Sequence, residues 1–200
     1  MVMDSMILNE IEAEVSASID LKKKVLEDKA LLKTVMAVVE VCIGAYKKGN
    51  KIILAGNGGS AADAQHIAAE LVCRYEIERP GLAAIALTTD TSVITAISND
   101  FQYNEIFSRQ LEANAKEGDV FIGISTSGNS VNIVKAMRVC KNLGIYSIAL
   151  TGQSGEIVGH SDYSICIPSN QTARIQECHI LIGHILCMLI EEELYIISNE

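Results

Sequence analysis

Residues 55–71 read AGNGGSAADAQHIAAEL, placing three glycines and Ser60 ahead of Asp63, His66 and Glu70 and directly behind the apolar run KIIL. Glycines let a backbone approach a ligand closely. His66 and Glu70 are four residues apart and share one face of a helix, with Asp63 and Arg74 extending the stripe. An imidazole beside a carboxylate can pass protons in general acid–base chemistry. A solvated polar face carries the same residue types, so it is the position one turn after a glycine-rich loop that gives this pair its interest.

A second strand-to-helix turn, ISTSGNS at 124–130, offers the hydroxyls of Ser125, Thr126, Ser127 and Ser130. Serine and threonine are ordinary N-caps and turn residues. Four hydroxyls within six positions after a buried strand, followed by the free N–H groups of a helix start, suit a phosphate group better. The rival ligand for the first turn is a dinucleotide, because GNGGSA has the G-x-G-x-x-A spacing. That reading needs an acid about 20 residues on, at the end of the next strand. The chain offers Glu76 and Glu78 before that strand and Asp90 only after it, and no G-K-[ST] occurs in either turn.

A third polar stripe lies in RIQECHILIGHIL, where Gln176 and His184 stand about 12 Å apart along a straight helix. They could meet one centre only from opposite ends. His184 sits inside a strongly apolar run and needs a partner or must stay neutral; a carboxylate or a metal would serve. His179 is a competing candidate that spacing leaves open.

These residues need a frame, and the apolar runs KIILA, LAAIAL, DVFIGI, YSIAL and YSICI supply one. They alternate with segments capable of being helical, which predicts a three-layer α/β sandwich on a parallel sheet. Such a sheet gathers its strand-to-helix turns at the carboxyl edge, so both candidate loops face one crevice. Residues 4–49 read as two helices ending at Gly49 and Asn50, with apolar positions at Ile7, Ile11, Val15, Ile19, Leu32, Val35, Val39 and Cys42. The stretch 171–197 reads as a long helix apolar on several sides, buried against the core or against other subunits together with the N-terminal helices. One domain is expected over 1–200, with 1–49 used in oligomer packing and 50–198 forming the core and C-terminal helix.

Composition narrows the partners. A hydrophobic content of 49% supports a substantial core, and a net charge of -9 with no basic run beyond Lys22–Lys24 argues against nucleic acid or an anionic membrane. Any anionic ligand must be held locally. The six cysteines are irregularly spaced without a C-x-x-C pair, which fits reduced thiols in a cytoplasmic protein. The acidic N-terminus is unlike a secretory signal, and ILIGHILCMLI is too short on its own to span a bilayer. A soluble, unexported protein is expected.

Taken together, GNGGSAADAQHIAAEL, ALTTDTSVITAISND, FSRQ, GDVFIGISTSGNS, ALTG and RIQECHILIGHIL resemble, in this order, the SIS (sugar isomerase) domain family, and within it the bacterial phosphoheptose isomerases. The resemblance implies a five-stranded parallel sheet flanked by helices, a homotetramer, and active sites where subunits meet. It also implies that Glu70 is the general base and His184 the general acid. Ser60, Ser125, Ser127 and Ser130 then correspond to phosphate-binding hydroxyls. Asn57, Gly58, Gly59, Arg74, Asp100, Thr126 and Gln176 correspond to other substrate-binding positions. Many members bind zinc, for which the matching ligands are His66, Glu70, Gln176 and His184. The implied reaction converts D-sedoheptulose 7-phosphate to D-glycero-D-manno-heptose 7-phosphate, feeding nucleotide-activated heptose for lipopolysaccharide or capsule. Cys73 and Gln102 depart from the family pattern, each standing where glycine is common. Other SIS proteins are non-enzymatic tetramers that bind a replication initiator, or phosphosugar sensors. A binding module has no chemical need for Glu70 and His184 in register, so an enzyme is the expected reading.

Overall fold

In the computed structural model, which describes residues 2–197 and their side chains from residue 5, each of the five apolar runs becomes a strand. These are β1 (Ile52–Gly56), β2 (Ala84–Ala86), β3 (Val120–Ser125), β4 (Tyr146–Thr151) and β5 (Tyr163–Cys166). They pair in the order β2-β1-β3-β4-β5, every pair parallel. Strand side chains alternate between faces, and both faces here are apolar. Ile52 and Leu54 enter one core, while Ile53 and Ala55 enter the other.

The first core is covered by α1 (Val2–Glu27), α2 (Lys29–Lys47), α3 (Gly59–Val72) and α7 (Thr172–Tyr195). The second is covered by α4 (Thr91–Asp100), α5 (Ser108–Asn114) and α6 (Val131–Leu143). The three layers anticipated from the strand–helix alternation are therefore present. Asp28 separates α1 from α2, its carboxylate accepting from the N–H groups of Ala30 and Leu31 at 3.0 and 2.9 Å. Helix α2 stops where expected, with Gly49 in the left-handed region at φ 73°.

Helix α7 is long and apolar enough by length and composition to cross a bilayer. It lies along α2 and α3, and Ile175, Cys178, Ile182, Leu186, Cys187 and Ile190 are buried in the first core. Helix α1 differs: its Ile7, Ile11, Val15 and Ile19 are 49–55% exposed.

The strand order reverses between β1 and β3, whose following helices go to opposite faces of the sheet. A switch point of this kind opens a crevice at the carboxyl ends of the two strands. Gly56 pairs with Ile124 across that edge, so the glycine turn and the hydroxyl turn lie side by side.

Candidate active site

Helices α3 and α7 leave the sheet edge together and run in the same direction. A Cβ on Gly59 would lie 2.6 Å from Gln176 Nε2, and one on Gly183 would lie 2.6 Å from Ile67 Cδ1, so the two helices approach closely at both glycines. With the helices in register, His66 and Glu70 on α3 meet His184 on α7. His66 Nε2 is 3.1 Å from Glu70 Oε1 and 3.3 Å from His184 Nε2. The ligand atoms of all three lie within 4.8 Å of one another.

Three donor atoms this close form a group that could hold a metal ion. His66 Nε2 faces an acceptor oxygen and a second imidazole nitrogen at once, and a single proton can serve only one of them. A cation serves all three. A tetrahedral centre with bonds of about 2.0–2.1 Å places its ligand atoms about 3.3 Å apart, close to the 3.1 and 3.3 Å of the two contacts that His66 makes. The donor set, two imidazoles and a carboxylate, fits such an ion.

Gln176, expected as a fourth ligand, does not join the triad within one chain. It stands eight residues before His184, about 12 Å along the helix, level with Gly59 at the glycine turn. His179 is also elsewhere: it is fully buried, with Nε2 3.1 Å from the Thr151 carbonyl oxygen and Nδ1 without a partner. Burial pulls its pKa down to about 4, the Thr151 contact drawing it partly back up. It is a neutral core histidine.

In the glycine turn, Asn57 is held by two residues that sequence reasoning missed, Asn132 and Tyr103. The Ile133 N–H donates to Asn132 Oδ1 at 3.0 Å, which fixes that amide's orientation. Asn132 Nδ2 therefore donates to Asn57 Oδ1, and Asn57 Nδ2 donates back to Asn132 Oδ1, both at 2.9 Å. The Tyr103 hydroxyl donates to the same Asn57 oxygen at 2.8 Å. Asn57 Oδ1 is thus occupied twice, which fixes the side-chain amide at the glycine turn. The available signal was Asn132 itself, a polar residue that proves 2% exposed in the first turn of α6.

In the hydroxyl turn, Ser125 is buried and donates to Ser130 Oγ at 3.0 Å, at the N-cap of α6. Ser127 is exposed, and its Oγ accepts from the Asn129 N–H at 3.2 Å. The Thr126 carbonyl accepts from Gly152 N–H at 3.1 Å. Ser60 is buried in the first turn of α3, and Gly58 and Gly59 are exposed above it.

Arg74 and Asp100, the outlying sugar candidates, are exposed. Arg74 follows α3 directly and precedes Tyr75, whose ring packs on His184 with centroids 5.6 Å apart. Asp63, one turn before His66, has one buried oxygen without a hydrogen bond; burial pushes its carboxyl up and His66 draws it partly back. Val72, the last residue of α3, is 50% exposed.

The triad lies open in a single chain, with the His66 side chain 48% exposed. A surface cavity of about 650 Å³ lies beside Arg138, Tyr146 and Asp162, and none of the triad residues lines it.

The comparisons with known proteins agree with this geometry. Residues 15–152 match the SIS domain family. The chain is 55% identical over 186 residues to a phosphoheptose isomerase of Aneurinibacillus thermoaerophilus, covering 92% of this chain and 94% of the relative. It is also 55% identical to phosphoheptose isomerase 2 of Campylobacter jejuni, over 92% of each chain. The structure of a phosphoheptose isomerase from Neisseria gonorrhoeae superposes with a TM-score of 0.87 at 39% identity, covering 93% of this chain and 99% of that one. One from Francisella tularensis gives 0.88 at 36% identity, covering 92% and 98%. The fold, the paired turns and these likenesses place the chain in the SIS domain family, among the phosphoheptose isomerases, as a phosphosugar isomerase.

Proposed function

We propose that the protein converts D-sedoheptulose 7-phosphate to D-glycero-D-manno-heptose 7-phosphate through a cis-enediol. The observation that carries this reading is the meeting of Glu70 and His184 across the His66 ring, beside two turns suited to a phosphate. Relatives at 55% identity named for the same seven-carbon chemistry support the choice of substrate.

The phosphate is held by Ser60, Ser125, Ser127 and Ser130 at the starts of α3 and α6, where free N–H groups and the positive dipole end offset the protein's net negative charge. Thr126, Asn57, the Gly58 and Gly59 backbone, and Gln176 line the sugar chain, with Arg74 and Asp100 at its outer end. Glu70 turns Oε1 toward His66, which leaves Oε2 to take the proton from C1 and return it to C2. His184 moves a proton between the two sugar oxygens, the second transfer that a ketose–aldose interconversion requires. His66, Glu70 and His184 would hold a zinc ion, one per chain, which would supply Lewis-acid polarisation of the carbonyl.

The protein works as a homotetramer in the cytoplasm, and its product enters nucleotide-activated heptose for lipopolysaccharide or capsule. The exposed stripe of Ile7, Ile11, Val15 and Ile19 on α1 and the open face of the triad support association through the N-terminal helices. The test is an isomerase assay on sedoheptulose 7-phosphate with Glu70→Gln alongside and phosphosugar binding measured by calorimetry. Turnover in the wild type, lost in the variant with binding retained, supports the assignment. Joint loss of binding and fold in the variant removes Glu70 from the role.

A further inference from the structure

Two turns beyond His184, α7 carries Glu191, whose side chain is only 1% exposed. Its Oε1 accepts from the Tyr75 N–H at 3.0 Å and from Arg79 Nε at 2.7 Å. Its Oε2 accepts from the N–H groups of Glu76 and Ile77 at 2.7 and 3.0 Å. Burial alone would raise this carboxyl, but the backbone donors and Arg79 together hold it below the ordinary glutamate range. Arg79, equally buried, uses its remaining nitrogens on backbone carbonyls. One nitrogen donates to Leu71 and Pro80 at 2.9 and 3.0 Å, and the other donates to the carbonyl of Glu70 itself at 3.1 Å.

One ion pair thus grips three parts of the site. It closes the last turn of α3, whose final carbonyls have no partner within the helix. It pins the loop that presents Arg74 and sets the Tyr75 ring on His184. It anchors both to α7, the helix that carries His184. A buried pair is weak support for stability, since apolar residues of equal volume commonly do as well. What apolar residues cannot do is hold three consecutive N–H groups and the Glu70 carbonyl in fixed positions.

We propose that Glu191 and Arg79 are positioning residues of the isomerase site, setting the separation of Glu70 from His184 by locking the end of α3 and the loop after it onto α7. This rests on the roles given to Glu70 and His184 above. The glycine turn lies at the other end of α3 and the hydroxyl turn at the start of α6, so the pair governs the reacting end and leaves phosphate capture alone.

The experiment compares Glu191→Gln and Arg79→Lys in the full-length enzyme, well below each melting point and normalised to the folded fraction by circular dichroism. Lys keeps one charge contact to Glu191 but cannot reach the carbonyls at the same time. For both variants kcat on sedoheptulose 7-phosphate is expected to fall roughly 10- to 100-fold, as for an ångström-scale misplacement, with KM and phosphosugar affinity within threefold of the wild type. If Glu191→Gln does not fold, Arg79→Lys is read alone by the same criterion. A kcat within threefold of the wild type overturns the proposal and leaves the pair a purely structural one. A kcat loss matched by an equal loss of binding overturns it too. A wild-type enzyme without turnover fails the isomerase reading itself, an outcome distinct from both.

Discussion

His179 allows a stability effect to be worked from one side chain. The ring is 0% exposed and its Nε2 contacts the Thr151 carbonyl. In the unfolded chain it titrates near 6.5, and in the folded chain burial lowers this to about 4. Because the unfolded state binds the proton more readily, stability falls as pH drops from 6.5 toward 4 and is fully present above that window. A fall from 6.5 to about 4 corresponds to about 3 kcal/mol over the whole window and about 2 kcal/mol at pH 5. His179→Gln keeps an N–H for the Thr151 carbonyl but cannot titrate. Melting curves of the two proteins at one fixed chain concentration, between pH 7.5 and 4.5, are the assay. The variant is expected to gain on the wild type by roughly 4–8 °C in melting temperature between pH 7.5 and 5. Carboxylates common to both proteins cancel in that comparison. Two curves that stay parallel over this range would refute the account of a buried neutral imidazole.

Other perturbations address the scaffold and the metal. Gly128 has φ 66°, and an added Cβ would fall 2.5 Å from the Ser154 carbonyl oxygen and 2.7 Å from Gly155 Cα; Gly128→Ala should cost about 2 kcal/mol or more in a denaturant melt and weaken phosphosugar binding in calorimetry. Asp119, fully buried, accepts from Lys51 Nζ, from Asn50 Nδ2 at 3.2 Å and from the Lys51 and Lys116 N–H groups at 3.0 and 2.9 Å. Asp119→Ala should cost about 3 kcal/mol near neutrality. Burial raises the Asp119 carboxyl but these donors hold it below its ordinary value, so its contribution is present above about pH 4 and is lost as pH falls through the folded value. The gap between wild type and Asp119→Ala should therefore narrow in melts below pH 4. Elemental analysis of purified protein should give about one zinc per chain, abolished in His66→Ala; a variant that keeps its zinc would place the metal away from the triad.

The elements were legible because their signals are local. Apolar runs bounded by glycine and polar residues marked all five strands, and the β1 and β3 turns announced themselves by composition. LAAIAL narrowed to Ala84–Ala86 because β2 is an edge strand with β1 as its only partner. Less was legible where the answer lies between elements. Helix α7 is apolar on several sides, so periodicity could not say whether His179 or His184 faces α3. Separation along α7 was clear from spacing, but only the side-by-side course of α3 and α7 shows that Gln176 lies with Gly59 rather than with the triad. Asn132, Tyr103, Arg79 and Glu191 act across 46 to 116 positions of sequence, and in a linear reading they pass for ordinary helix and loop residues.

The central claim is that Glu70 transfers a proton between adjacent sugar carbons. Incubating the protein with sedoheptulose 7-phosphate in heavy water, and following the aldose by NMR, tests this most directly. The account predicts product carrying solvent deuterium at C2 with the wild type and no product with Glu70→Gln. Turnover and labelling that persist in Glu70→Gln would contradict it.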